Sequence, residues 1–349
     1  MAAARAKPED PGVYNEAVRA AVLQGIGAPI TIETRPNLTP GSGEAVVRIE
    51  AAALNRRDVW IRLGKYAGLK FPIVLGSDGV GKVEAVGSGG SEWIGREVLI
   101  DAALFWGSSQ KFQDPRTFQI LGLPRDGTFA EQVVVPVENL YAKPAHLSAA
   151  EAAALPLAGL TAFRAVSSRA GLKAGEKVLV TGAGGGTATF AVLFAAALGA
   201  DVYVTSGSQE KLAAAAAIGA KGGVSYREPD WDAQLKEMAG GFDVIVDSTM
   251  GEGLSKLIDV ANPGARIVFF GATAGDPPEL PARKVFWKQL SILGTTMGSP
   301  SDFAAMLSLV ESKKLKPVID KVFTLEDATA ALDRMLRAEQ FGKIVLQVG

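Results

Sequence analysis

The sequence predicts an α/β protein of two domains, one mostly β and one a doubly wound parallel sheet. Three observations lead there. Strand-like segments punctuated by proline and glycine fill residues 19–143. From residue 201 onward, short apolar strands alternate with helical stretches, the pattern of a parallel sheet covered on both faces. Between them runs Lys177-Val-Leu-Val-Thr-Gly-Ala-Gly-Gly-Gly-Thr-Ala-Thr-Phe-Ala191, which reads as a strand, a glycine turn and an alanine-rich helix in succession.

Composition sets the outer bounds. The chain has 349 residues, 48% hydrophobic and 21% charged, enough for two domains with real cores. A net charge of −1 gives no electrostatic case for nucleic acid or a membrane surface. There is no cysteine and only one histidine, His146, so disulfides, thiolate metal sites and histidine clusters are excluded. The missing cysteines fit a reducing compartment, and the cytoplasm is the expected location. No apolar run reaches the roughly 20 residues that span a bilayer. Residues 1–17 mix small, charged and proline residues and read as a disordered tail. Glu9 and Asp10 speak against an organelle transit peptide there, without excluding one.

The elements follow in order. Arg19 to Leu23, Ile30 to Thr34, Glu44 to Ala53, Gly81 to Val86, Glu97 to Ile100 and Phe129 to Val135 read as strands. Residues 105–125 form a long polar loop, functional or an insertion. Ser148 to Ser168, rich in alanine and leucine, reads as helices. Further strands are expected at Asp201 to Thr205, Asp243 to Asp247, Arg266 to Gly271 and Ser291 to Gly294. Helices are expected at Lys211 to Ile218, Asp232 to Met238 and Ser301 to Lys313. The chain ends in a strand, Lys343 to Val348, that could rejoin the first domain. The domain boundaries are accordingly 18–150 with 299–349 for the first domain and 151–298 for the second.

A glycine turn between strand and helix lets a backbone approach a pyrophosphate, and the helix N-terminus offers free N–H groups and a positive dipole end. Gly182, Gly185, Gly186, Thr187 and Ala188 would form that cradle; a bare strand-to-helix turn is the bland alternative. Dinucleotide sites for NAD place an acid about 20 residues further on, for the ribose hydroxyls. Here the stretch is Thr205-Ser-Gly-Ser-Gln-Glu-Lys211, with no acid at the strand end. Ser206 and Lys211 suit a 2′-phosphate instead, so the expected cofactor is NADP(H).

The sequence resembles a medium-chain dehydrogenase/reductase of the zinc-free quinone oxidoreductase type. The resemblance lies in Ala53-Leu-Asn-Arg-Arg-Asp-Val-Trp-Ile-Arg-Leu-Gly-Lys-Tyr66, Gly76-Ser-Asp-Gly-Val-Gly-Lys-Val-Glu-Ala-Val-Gly87, Gly127-Thr-Phe-Ala-Glu131, Leu155-Pro-Leu-Ala-Gly-Leu-Thr-Ala162, the glycine turn and Phe341-Gly-Lys-Ile-Val345. It implies a GroES-like catalytic domain built from both chain ends, an inserted Rossmann domain, and an active site in the cleft between them. Zinc-dependent relatives carry a cysteine where this chain has Asn55, a histidine–glutamate pair at Ser77-Asp78, and a third ligand near Ala158. The resemblance therefore implies no metal and no zinc-assisted alcohol oxidation. Thr187-Ala188 stands where the family usually has Val-Gly.

Without zinc, the implied reaction is hydride transfer from NADPH to a quinone or to the β-carbon of an α,β-unsaturated carbonyl. Donors must then meet the charge that builds on oxygen. The resemblance puts Asn55 and Tyr66 at the acceptor pocket. The bland readings are an asparagine bonding its own backbone and a tyrosine packing the domain. It also puts Thr161 at the nicotinamide ribose, Tyr226 near the adenosine end, Gly271 and Ala272 at the nicotinamide end, and Lys343 on a phosphate. Asp58 and Arg62, one helical turn apart, read as a surface pair. Phe105, Trp106, Phe286 and Trp287 line a pocket wall or an interface. A homodimer is expected from relatives. A cofactor-binding sensor, RNA binder or structural protein, and a biosynthetic enal or enone reductase, are the competing functions.

Overall fold

The structure, a computed structural model, describes residues 17–349. The tail expected over residues 1–17 lies, apart from Ala17, outside the described residues.

The first part of the chain holds strands β1 (Val18–Leu23), β2 (Ile30–Arg35), β3 (Glu44–Ala53), β4 (Ile73–Val74), β5 (Asp78–Val86), β6 (Glu97–Ile100), β7 (Ala103–Leu104), β8 (Gln119–Ile120), β9 (Gln132–Pro136) and β10 (Leu140–Ala142). A short helix, α1 (Arg56–Arg62), follows β3. β3 is the hub: its long run of buried β-branched and alanine residues takes β5 and β9 as antiparallel partners. The expected strand from Phe129 starts only at Gln132. Its first residues bond β1 instead, Ala21 N–H to the Phe129 carbonyl at 2.8 Å.

Helices α2 (Ala149–Ala154) and α3 (Pro156–Arg164) lead into the second part. α2 is capped by Ser148 and Glu151, each bonding the other's backbone N–H. Six strands then form an all-parallel sheet: β11 (Lys177–Val180), β12 (Asp201–Ser206), β13 (Ala220–Ser225), β14 (Phe242–Asp247), β15 (Ala261–Phe269) and β16 (Ser291–Gly294). Their spatial order is β13-β12-β11-β14-β15-β16, the doubly wound order with its reversal between β11 and β14. The intervening helices are α4 (Gly186–Ala197), α5 (Gln209–Ala217), α6 (Trp231–Ala239), α7 (Gly253–Val260) and α8 (Ala282–Trp287). α4 carries no charged residue, and it is accordingly buried, with Phe194 edge-on to Phe163 of α3.

The chain then runs through α9 (Pro300–Lys313), β17 (Ile319–Thr324), α10 (Ala328–Leu336) and β18 (Lys343–Gln347). β18 pairs antiparallel with β3 and parallel with β17, so the C-terminal strand sits in the first sheet. No helix among the described residues is long and apolar enough to cross a membrane.

Candidate active site

Sheet register brings three distant residues together. Ala53 at the end of β3 lies opposite Asp78, the first residue of β5, and on its other side opposite Val345 of β18. Continuing that antiparallel register by two residues places Lys343 opposite Asn55, and the Leu54 N–H bonds the Ile344 carbonyl at 3.0 Å to hold it. Lys343 Nζ donates to Asn55 Oδ1 and to Asp78 Oδ2, both at 2.8 Å, and Asn55 Nδ2 donates to Asp78 Oδ2 at 2.9 Å. The other Asp78 oxygen takes the Leu157 N–H at 2.8 Å, in the first turn of α3, where a carboxylate meets the positive end of the helix dipole. All three side chains are buried, and Asp78 is fully enclosed. A buried charge persists only when paired and hydrogen-bonded, and this pair is both.

A second layer supports it. The Asn55 backbone N–H bonds Asp58 Oδ2 at 2.7 Å, which anchors the start of α1. Burial pushes the Asp58 carboxyl up to about 6, against the charge of Arg57. Arg57 donates to Ser77 Oγ and to the Leu121 carbonyl, both at 2.8 Å, and its guanidinium lies 5.1 Å from the Tyr66 ring centroid. Tyr66 is half-buried, with its hydroxyl 3.5 Å from Arg57 Nε.

The glycine turn connects β11 to α4. Gly182 (φ 66) and Gly184 (φ 128) take left-handed backbone that side chains disfavour. Its struts come from β12: the Ala183 N–H bonds the Thr205 carbonyl at 2.7 Å, and Ser206 Oγ donates to the Ala183 carbonyl at 2.9 Å. Ser206 is thus buried and committed to holding the turn. A Cβ at Gly184 would come within 2.8 Å of the Lys211 side chain, and one at Gly186 within 2.7 Å of Lys343. Glycine there lets two lysine stems cross the turn. Lys211 ends on the Ala338 carbonyl at 2.7 Å, and burial lowers its pKa from the usual lysine value. The Gly342 N–H bonds the Gly184 carbonyl at 3.0 Å, so the C-terminal strand's approach touches the turn directly.

The remaining predicted residues fall around that turn. Thr187 and Ala188 open α4, whose first-turn N–H groups have no intrahelical acceptor. Tyr226, half exposed, follows β13, and its hydroxyl stands 2.5 Å from where a Cβ of Gly207 would be. Gly271 and Ala272 follow β15, and Gly271 packs against the Ser248 carbonyl. Thr161 is buried in the middle of α3. A free helix N-terminus, glycines whose Cβ atoms would collide, and cations at the β12 and β13 ends fit a dinucleotide.

A zinc ion does not fit the residues matched to its ligands. Ala158 has no donor atom, and the Asn55 amide is taken up by Asp78 and Lys343. Ser77 Oγ donates to the Leu121 carbonyl at 2.7 Å while accepting from Arg57. Only Asp78 offers a preferred zinc donor, and an ammonium already sits on it. No cluster of three or more His, Cys, Asp or Glu that could hold a metal occurs among the described residues.

The expected surface pair of Asp58 and Arg62 is overturned. Arg62 binds Asp333 of α10 at 2.6 Å, while Asp58 turns inward to Asn55 and Gly76, because α10 docks along the outer side of α1. Sequence reasoning also missed Asp78, Arg57 and Arg227. Arg227 Nε lies 3.2 Å from where a Gly207 Cβ would be. Its position directly after Tyr226, at the end of the strand beside β12, was the available signal. Phe286 and Trp287 are exposed on α8, whereas Trp106 is buried.

Comparison with known proteins identifies the family. A family model described as an alcohol dehydrogenase GroES-like domain matches residues 41–145, and one described as a zinc-binding dehydrogenase matches residues 186–312. The chain is 33% identical over 340 residues to the zinc-type alcohol dehydrogenase-like protein YogA of Leptosphaeria maculans, covering 92% of this chain and 95% of that one. It is 27% identical to a human quinone oxidoreductase, covering 94% and 97%. A crystal structure of an NAD-dependent alcohol dehydrogenase superposes with a TM-score of 0.90 at 42% identity, covering 95% of this chain and all of the other. With the parallel sheet, its glycine turn and the GroES-like sheet all in place, the chain belongs to the medium-chain dehydrogenase/reductase superfamily and is an oxidoreductase of that family.

Proposed function

We propose that this chain is a zinc-independent, NADPH-dependent reductase that delivers hydride to a quinone or an α,β-unsaturated carbonyl. The observation that carries the reading is the ammonium of Lys343, buried on Asp78 and Asn55 where zinc-dependent relatives have ligands. A cation is supplied by the protein itself, and the donors left over do not make a metal site.

The cofactor would lie along the glycine turn, with its pyrophosphate at the start of α4 and its nicotinamide end near Thr161, Gly271 and Ala272. Lys211, Tyr226 and Arg227 would face a 2′-phosphate, while Ser206 acts through the turn it braces. When bound, NADPH supplies the hydride. Asn55 then offers its second Nδ2 hydrogen, the one not held by Asp78, to the acceptor oxygen as charge builds there. Lys343 fixes the amide's orientation, since an ammonium can only meet Oδ1 and a carboxylate only Nδ2. Tyr66 gives the proton, with the Arg57 guanidinium lying over its ring. Residues 18–150 and 299–349 would form the catalytic domain and 151–298 the cofactor domain. A second copy would cover the open edge at β16 beside the exposed Trp287, making a homodimer.

The test is a panel of quinones, enones, simple ketones and alcohols with NADPH and NADH, run before and after chelator treatment. Consumption of NADPH with quinones or enones, unchanged by the chelator, is expected. Chelator-sensitive alcohol oxidation restored by zinc would overturn the reading.

A further inference from the structure

One cavity, of about 330 Å³, opens between residues 106–113, the end of α3 and the residues after β16. Its charge is one-sided. Lys111, Arg164 and Arg169 line it, and no carboxylate does. Arg164 is committed: it pairs with Asp302, donates to the Lys111 carbonyl at 2.8 Å and lies over Trp106. Burial pushes the Asp302 carboxyl up, but bonds from Ser168 and Ser299 and the Arg164 charge leave it below the usual carboxylate value, so that pair is internally balanced.

Arg169 and Lys111 are a different matter. Arg169 Nε is enclosed with no hydrogen-bond partner, and so is Thr295 Oγ1 on the facing wall. Neither Arg169 nor Lys111 has an ion-pair partner among the described residues. Asp114, in the same loop, faces Arg116 at 3.6 Å and does not line the cavity. Arg169 Nε and Thr295 Oγ1 are both closed off from the cavity itself, so the cationic groups turned to it are the outer guanidinium nitrogens of Arg169 and the Lys111 ammonium, neither of which has a hydrogen-bond partner among the described residues. Trp106 and the exposed Phe112 add flat apolar walls.

The cavity is tied to the reaction centre by α3. The first turn of that helix holds Asp78 through the Leu157 N–H, and its last residue, Arg164, lines the cavity. Seven residues at 1.5 Å each separate the two by roughly 10 Å. The residue 105–125 loop makes the same link, with Leu121 at Arg57 and Trp106 at the cavity. Thr295 is fastened to the Phe269 carbonyl at 2.9 Å, on the same C-terminal rim of the parallel sheet as Gly271.

We infer that this cavity binds an anionic group of the substrate, so that the acceptor is a conjugated carbonyl compound carrying a carboxylate. Arg169 and Lys111 hold the carboxylate, and Trp106 and Phe112 pack the connecting group. This rests on the reductase reading proposed above.

Two measurements on the NADPH-loaded full chain separate the two ideas. The first compares reduction of 4-(3-oxobut-1-enyl)benzoic acid with that of its methyl ester, in wild type, Arg169→Gln and Lys111→Gln. A kcat/KM for the acid about tenfold or more above the ester is expected, through KM, and largely lost in Arg169→Gln. Lys111, exposed at the mouth, gives the same direction with less risk to folding. The second is calorimetric binding of the saturated analogue, 4-(3-oxobutyl)benzoic acid, which needs no turnover. Tighter binding of that acid than of its ester, weakened in both variants, supports the anion site even where neither enone is reduced. Equal binding of acid and ester, or variants that leave the acid's binding unchanged, overturns it. Failure of reduction with binding intact counts against the enone reading alone. Inorganic phosphate competing with the acid supports the site, and phosphate binding without any for the acid overturns the carboxylate assignment.

Discussion

Lys343 Nζ sits 2.8 Å from Asp78 Oδ2, in an enclosure where both side chains are almost fully hidden from solvent. The two are 265 residues apart in sequence, and β3 between their strands is what aligns them. Breaking one side of such a pair leaves an uncompensated buried charge. Removing both sides together does not.

Replacing Lys343 with methionine is therefore expected to cost about 3–5 kcal/mol of unfolding free energy. The double variant Lys343→Met with Asp78→Asn should recover a substantial part of that loss. Urea denaturation of both single variants and the double closes the cycle. Additive effects would show that the two residues do not act as a pair.

Cofactor choice should respond to the cations at the end of β12 and β13. Lys211→Ala and Arg227→Ala are each expected to raise the KM for NADPH about tenfold and leave the KM for NADH nearly unchanged. Equal effects on both nucleotides would mean that the side chains support the turn and do not read the 2′-phosphate.

Tyr66→Phe tests the proposed proton donor. It is expected to lower kcat by about 100-fold with little change in KM, because only the hydroxyl is lost and the ring still meets Arg57. Steady-state kinetics with a single enone checks this. An unchanged kcat would assign protonation to water.

Stability should fall with pH through Asp101. Burial pushes its carboxyl from 3.8 up to about 7. The unfolded chain ionises first, so between those values the native state binds more protons and loses stability as pH rises. The contribution is greatest below pH ~4 and gone above pH ~7, an effect on the order of 4 kcal/mol at most. Asp58, raised to about 6 by burial, acts in the same direction. Asp101→Asn keeps an acceptor for the Ala103 N–H and should flatten the decline. Melting temperatures measured from pH 5 to pH 8 on both proteins test it, and parallel curves would remove Asp101 from the account.

Much of the fold was legible because its signals are local. Strands at Glu44–Ala53, Glu97–Ile100 and Ser291–Gly294 show in their apolar β-branched runs, and the glycine turn shows in a single window. Helix starts were less clear. The alanine-rich helix after the glycine turn begins at Gly186, still within the glycine run, since the turn delivers the chain already in helical geometry. α10 was not read at all, although its alanine and leucine pattern carries a buried face at Ala328, Ala331, Leu332 and Met335.

By itself, then, the sequence determined the two-domain α/β plan, the place of the glycine turn and the lack of zinc-ligand side chains at Asn55, Ser77 and Ala158. Each is a matter of residue type or of spacing within one or two turns of chain. Only tertiary structure decided what those residues face. Ser206 became a brace of the turn, Arg62 turned to Asp333, and Lys343 joined Asn55 and Asp78 inside the protein. The cavity lined by Arg169 and Thr295 likewise draws on three separated stretches. Sheet register and helix docking set these contacts, and both are fixed by burial summed over the whole core, which no short window of sequence contains.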